Sequence, residues 1–333
     1  MAYLDGWRGL AITLLLIGHF FPVAGINLGQ TGVNLFFVLS GYLMGQLLFI
    51  KETPIPVFYR RRISRIVPAH VFFILCILLG FAASGAPIEW RETLAALVFM
   101  NNYFTGELGA NAMPFGHIWS LSVEEQSYIL LSLVALAVRR FRLDARWLVG
   151  ALAAACAAMG FWYWLHYSGR ELTFQKWLHA EVSAYGILAS ACLLLMFVKG
   201  RIPKLPALAY PMLLGAGILV HWWSVPLPIQ TTVGVGVLAL TINLMPKAPA
   251  IVKAVLSFRP LRWIGLWSFS IYLWQQPFYL ATHRGVMPAY IAVTLAIACG
   301  VVSFYLLENP LRLYLNRVWG RAIAVRMASP EWR

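Results

Sequence analysis

The sequence predicts an all-α fold: a polytopic membrane helical bundle of about ten transmembrane helices, with the N- and C-termini cytoplasmic. Three observations predict it. Of the 333 residues, 61% are hydrophobic and only 11% charged, far less charge than a soluble domain of this size keeps. Apolar runs long enough to span a bilayer recur at roughly 7–22, 33–50, 67–84, 117–138, 147–166, 179–198, 206–222, 226–245, 263–281 and 288–307. The basic residues are also sorted by side. With the N-terminus inside, all of the 26 lysines and arginines except Arg91, Arg170, Lys176 and Arg284 fall on the cytoplasmic face, as the positive-inside rule requires. The net charge of +14 is therefore topology, and no nucleic-acid partner is expected.

The first run is short and must stand upright or be extended. It has no basic leader and is interrupted by Arg8 and His19, so a cleaved signal peptide is not expected. Between the third and fourth runs, 93–104 is apolar but short and reads as a buried or interfacial segment. The outer segment around it, about 85–116, carries Pro87, Gly106, Gly109 and Pro114 beside Trp90, Tyr103 and Phe104, which predicts an ordered loop with a short helix. The inner linker 246–262 is bracketed by Pro246, Pro249 and Pro260. Two domains are expected: residues 1–310 as the membrane domain and 311–333 as a basic cytoplasmic tail. The tail could lie on the inner surface with Leu311, Leu315, Val318 and Trp319 on one side and Arg312, Arg317 and Arg321 around it. Cys76, Cys156, Cys192 and Cys299 all fall within spans without metal-ligand spacing, so they read as small buried apolar residues, and no metal is expected. Nothing is long enough for a soluble catalytic domain, so any chemistry belongs within the membrane region.

Three groups of residues could carry it. Arg8 and His19 lie eleven residues apart, which returns to nearly the same helical face and separates them by about 16 Å along the axis. One helix thus carries a fixed charge near one surface and a proton-transfer group towards the other, where ionisable side chains are costly unless they work. The plainer reading makes Arg8 a snorkelling anchor paired with Asp5, and His19 a satisfied structural histidine. The second group is His117, Glu124 and Tyr128, one stripe at the start of the fourth run, with Ser120 close by. A carboxylate bonded to an imidazole fixes its tautomer and raises its basicity; the alternative is a structural ion pair, and Glu125 points elsewhere. The third is Tyr59-Arg60-Arg61-Arg62-Ile-Ser-Arg65-Ile-Val-Pro68, where Arg62 and Arg65 share a face and could form a phosphate site. The positive-inside rule alone would also put arginines there. Of the many aromatics at helix ends, most fit an interfacial belt, and the rest could stack on sugar rings.

These segments, in this order, resemble acyltransferase family 3, integral-membrane enzymes that modify cell-surface glycans and some secreted metabolites. The resemblance rests on Leu4-Asp5-Gly6-Trp7-Arg8 with His19; Gly32-Val33-Asn34-Leu35-Phe36-Phe37-Val38-Leu39-Ser40-Gly41-Tyr42; Arg62-Ile-Ser-Arg65; His117-Ile-Trp119-Ser120-Leu-Ser-Val-Glu124-Glu125-Gln126; Phe269-Ser270-Ile-Tyr272-Leu273-Trp274; and Glu308-Asn309-Pro310. It implies transfer of an acyl group, most often acetyl, from cytoplasmic acyl-CoA to a hydroxyl of an extracytoplasmic carbohydrate. Arg8, Arg62 and Arg65 would hold the donor's phosphates. His19 would act as general base or transient acyl carrier, with Glu124 and His117 as the other catalytic candidates. Ser120, Tyr128 and Gln275 would contact substrate. Two departures from the family stand out: Asp is common at the position of Asn34, and His often follows the Leu-Trp where this chain has Gln275.

The expected protein is an acyl-CoA-dependent O-acyltransferase in a bacterial cytoplasmic (inner) membrane, with acetyl-CoA as donor, a glycan as acceptor, the bilayer as its surroundings and no metal. A proton-coupled transporter or flippase of a glycan or lipid-linked precursor is the alternative from another class, although no paired broken segments indicate inverted repeats. An acyltransferase acting on a lipid or small secreted metabolite is a third. The sequence leaves the oligomeric state open.

Overall fold

The computed structural model describes residues 2–104, 113–167, 175–200 and 202–328. Gly106, Gly109 and Arg170, and the side chain of Arg321, lie outside the described residues. Among the described residues there is no strand, only an isolated bridge between Ile26 and Trp222. The helices run in order α1 (Ala2–Phe20), α2 (Leu28–Gly45), α3 (Ile55–Ser84), α4 (Trp90–Leu97), α5 (Asn101–Phe104), α6 (Ile118–Phe141) and α7 (Ala145–His166). They continue as α8 (Ala180–Ser183), α9 (Tyr185–Lys199), α10 (Ala209–Leu219), α11 (Leu227–Ile229), α12 (Val235–Leu244), α13 (Ala250–Leu256), α14 (Arg259–His283), α15 (Ala289–Ser303) and α16 (Asn309–Ala328).

Helix boundaries follow local chemistry. Asn27 caps α2 by accepting from the Gln30 amide at 3.0 Å, and Asp144 caps α7 by accepting from the Arg146 amide at 3.0 Å. A proline in the first turn opens α3, and Gly85 closes it in the left-handed conformation at φ 71°. Three wide π turns, Gln46–Ile50, Gln230–Gly234 and Phe304–Glu308, extend or join helices without breaking them. The last of these makes α15 and α16 one continuous rod through residue 310. Its far part is held to α3, where Ser64 Oγ donates to Asn316 at 3.3 Å and Arg60 donates to the Trp319 carbonyl at 3.2 Å.

Among the described residues, seven helical segments are long and apolar enough to cross a membrane: Leu28–Ile50, Ile55–Ser84, Ile118–Phe141, Ala145–His166, Ala180–Val198, Leu227–Lys247 and Ala289–Trp319. The runs at 7–22 and 263–281 are the long helices α1 and α14, which fall outside that set because Asp5, Arg8 and His19, or Arg259, Arg262 and neighbouring polar residues, dilute them. The run at 206–222 is helical only over Ala209–Leu219, since its far end turns into the bridge at Trp222 instead of continuing.

α1 is central, packed between α2 and α14; α2 continues to α9 and α12, α14 to α15, and α3 lies against α16. Glycine permits these approaches. A Cβ added at Gly265 would lie 1.8 Å from the Asp5 carbonyl oxygen, and one at Gly9 would lie 2.0 Å from that of Leu261. Backbones this close give van der Waals contact and leave no room for a methyl group. The apolar core surrounds this junction: Ile12, Leu15, Phe37 and Ile271 on one side, and Trp7, Leu35 and Leu238 on another. Gly265→Ala must therefore push α14 off α1, at a cost of at least about 1–3 kcal/mol, read as a lower thermal midpoint in detergent. A mutant that melted with the parent would refute this packing.

Outside the seven segments, α4 carries Glu92, which is 8% exposed. Its Oε2 is buried without a partner, and burial pushes its carboxyl up to about 7. A carboxyl raised in the folded state favours folding only while protonated. As pH rises from about 4.5 to about 7 the unfolded chain ionises first, so stability falls across that window and levels off above it. Glu92→Gln should flatten that fall in detergent melts at pH 5 and pH 8; an unchanged difference would count against the burial argument.

Candidate functional site

A cavity opens among α1, α2, α3, α6 and α14. Its polar lining comes from Arg8, Ser40, Arg62, Arg65, Ser120, Glu124, Tyr128, Ser268 and Tyr272, and its apolar lining includes Phe36, Phe37 and Met44. All three arginines singled out in the sequence reach it, as do Glu124, Ser120 and Tyr128. His19, His117 and Gln275 do not line it.

The arginines differ in what they are free to do. Arg62 Nη2 lies 3.0 Å from Glu125 Oε1 and 4.0 Å from Glu124 Oε2, and its guanidinium stacks 3.6 Å above the Tyr128 ring. One guanidinium thus faces two carboxyl groups. Glu124 also accepts from Ser40 Oγ at 2.7 Å and from Tyr128 OH at 2.9 Å. Arg8 pairs with Asp5 at 2.8 Å. Arg65 is the exception. Arg8, Arg62, Arg312 and Glu308 are within electrostatic range of it, yet among the described residues no acceptor takes a hydrogen bond from its guanidinium. Glu308, the nearest anion, already accepts from Ser270 Oγ at 2.6 Å. Positive charge is therefore left over at Arg65, which is where the cavity can take an anion.

At the opposite end of α1, His19 is partly exposed, and its Nδ1 lies 2.9 Å from Gln275 Oε1. Its ring tilts against Tyr279 with 4.6 Å between centroids. Pro277 interrupts α14 just beyond and deprives the Leu273 carbonyl of its helical donor. The His117 ring sits beside that carbonyl, though neither ring nitrogen makes a well-formed hydrogen bond. His117 is buried between Phe73 and Tyr272, and Tyr272 OH donates to the His117 backbone carbonyl while lying 2.6 Å from Ser120 Oγ. Val33, Phe37, Ser120 and Tyr272 thus form the upper wall of the cavity, and His19 lies beyond it.

Two readings are corrected by this geometry. Glu124 is bound to Ser40, Tyr128 and Arg62, and neither His19 nor His117 is its partner, because His117 precedes the first turn of α6 and turns to α14. Glu125, which a single-helix projection points away from the site, is the closer partner of Arg62, because α3 approaches α6 from that side. Asn34 lies outside the cavity, where its Nδ2 is 2.8 Å from His221 Nε2. His221 Nδ1 in turn donates to the Gly217 carbonyl at 2.7 Å, so a neutral amide and a neutral imidazole tie α2 to the end of α10. Ser40, Tyr272, Glu308 and Arg312 were not singled out as site residues; Ser40, Tyr272 and Glu308 fall inside the motifs, but their partners lie on other helices. Among the described residues no group of histidine, cysteine and acidic side chains could hold a metal ion.

Residues 1–307 match the acyltransferase domain of acyltransferase family 3, and the chain belongs to this family. Among curated proteins, it is 27% identical over 338 residues to the "Putative membrane-bound transacylase BcsY" of Komagataeibacter xylinus, covering 94% of this chain and 83% of that one. It is 25% identical over 348 residues to the O-acetyltransferase OatA of Staphylococcus aureus (strain NCTC 8325 / PS 47), covering 93% of this chain and 57% of that one. With the peptidoglycan O-acetyltransferase OatA of Listeria monocytogenes it shares 23% identity, covering 93% and 55%. The chain thus spans little more than half the length of the OatA relatives. No solved structure matches.

The charge arrangement separates the two arginines by experiment. Arg62→Ala strands two carboxylates beside an apolar wall and should cost about 3–5 kcal/mol, the usual penalty for breaking a buried pair. Arg65→Ala removes a charge without strong partners and should cost little. Thermal unfolding of both variants in detergent checks this, and equal losses would contradict the pairing.

Proposed function

We propose that this acyltransferase is a membrane O-acyltransferase that takes an acyl group, most often acetyl, from acyl-CoA and passes it to a hydroxyl of a carbohydrate on the far side of the bilayer. The observation that carries the reading is the free guanidinium of Arg65, beside Arg8, facing a cavity at one end of α1 while His19 stands at the other. Arg65 and Arg8 bind donor phosphates, with Arg312 adding charge. Arg62 is assigned to holding Glu124 and Glu125 instead, and so shapes the cavity wall together with Tyr128. Ser120 and Tyr272 form the boundary that the acyl end must pass, so their hydrogen bond opens during transfer. His19 takes the proton of the acceptor hydroxyl, the role of a general base.

The wider setting is part of the same reading. Adding α1, α14 and the region of α10 to the seven apolar segments makes ten crossings, with both termini and the arginine end in the cytoplasm. The membrane is then the cytoplasmic membrane of a bacterium, and residues 311–333 form a basic inner tail. The names of the relatives favour a cell-envelope polysaccharide such as peptidoglycan as acceptor.

The test uses purified protein in liposomes, acetyl-CoA outside the arginine end and a peptidoglycan fragment as acceptor probe, with free CoA and acetylated product measured together. Arg65→Ala should raise the KM for acetyl-CoA at least about tenfold with kcat largely kept, the mark of lost ground-state binding. His19→Ala should lower kcat by about 10²–10⁴-fold while acetyl-CoA still binds. Near-normal turnover by His19→Ala would overturn its role as base. Proton-coupled movement of a glycan without CoA release would favour a transporter.

A further inference from the structure

We propose that Gln275 sets the tautomer of His19, holding the proton on Nδ1 so that Nε2 is the working nitrogen, and that Gly29 keeps that nitrogen open to the acceptor. The inference rests on His19 acting as the base.

Gln275 Nε2 donates to Gln276 Oε1 at 3.2 Å, and Gln275 Oε1 lies 2.9 Å from His19 Nδ1. An amide oxygen can only accept, so the imidazole must donate through Nδ1–H. In a neutral ring this leaves the lone pair on Nε2. Gln275 is fully buried, so water does not compete for the bond.

The Nε2 edge faces the first turn of α2. A Cβ at Gly29 would lie 3.1 Å from His19 Cδ2 and 3.3 Å from Nε2. A side chain there would crowd the edge from which an acceptor hydroxyl must approach, and glycine leaves it clear. The other groups around the ring are Tyr279 on α14, and His283 and His117 within electrostatic range. Among the described residues no carboxylate bonds to the ring. Gln275 therefore directs the proton without supplying a counter-charge, unlike an acidic orienting partner.

The test reads the tautomer directly. In full-length protein in detergent with 15N-labelled histidine, the His19 signals are assigned by their loss in His19→Ala. The wild-type ring should show a protonated Nδ1 and an unprotonated Nε2. Gln275→Leu should shift the ring towards the other tautomer and lower kcat by about 10²-fold with the KM for acetyl-CoA unchanged. Gln275→Glu keeps an acceptor and adds a charge, so it should keep the Nδ1–H form and move the acid limb of the pH–rate profile to higher pH by about one unit. Gly29→Ala should keep the tautomer yet raise the KM for the peptidoglycan fragment. A wild-type ring protonated on Nε2, or a Gln275→Leu enzyme with full kcat and an unchanged pH profile, overturns the proposal while leaving His19 as base intact. Full activity of His19→Ala overturns the base reading itself. If Gln275→Leu fails to fold, the wild-type spectrum and the Gln275→Glu profile still decide the matter.

Discussion

The contact between α1 and α14 fixes the register of everything polar in this bundle. At Gly9 and Gly265 the backbones approach so closely that a single methyl group has nowhere to go. Helices locked backbone to backbone cannot slide or rotate past one another without leaving a void, and interiors packed at crystal density do not tolerate one. Arg8 stands beside this junction, and His19 lies three turns along the same helix. Ser268, Phe269 and Tyr272 of α14 thereby face the cavity, and Gln275 of the same helix faces His19. The arginine end and the imidazole end are set by one helix pair, and the surrounding helices add the walls.

Within that frame, charge is distributed by pairing and not by number. Three arginines face one cavity, yet Arg62 is bound by two carboxylates and an aromatic face, and Arg8 by Asp5. Removing charges from water is expensive unless they find partners, so nearly all of them do. Arg65 is left without a bonded acceptor among the described residues. The chemical meaning of an arginine cluster lies in its least satisfied member.

Much of the architecture is legible in the sequence, and the reason is periodicity. The apolar runs at 147–166 and 226–245 appear as Ala145–His166 and Leu227–Lys247, and the run at 67–84 is the far part of Ile55–Ser84, whose beginning carries the arginines. The joint appearance of Arg8, Arg62, Arg65, Glu124, Ser120 and Tyr128 around one cavity follows from their sharing helical faces. What the sequence hides is which helix meets which face. Glu125 projects away from Glu124 on a wheel of α6, but Arg62 comes from α3 and reaches both. Gln275 stands out only as a departure from the family pattern, while its bond to His19 joins residues 256 positions apart. The weakness of the run at 206–222 is likewise tertiary, since the chain leaves the helix to bridge to Ile26 beside the Asn34–His221 bond.

The wall of Val33, Phe37, Ser120 and Tyr272 has a consequence for the cell as well as for the chemistry. A bundle with ionisable groups approached from both ends risks becoming a wire: one continuous file of water between Arg65 and His19 would leak protons and dissipate the gradient across the bilayer. Val33 and Phe37 offer such a file nothing to bond to, and the hydroxyls of Ser120 and Tyr272 are taken up with one another. Insulation of this kind would let an enzyme work across an energised membrane without discharging it.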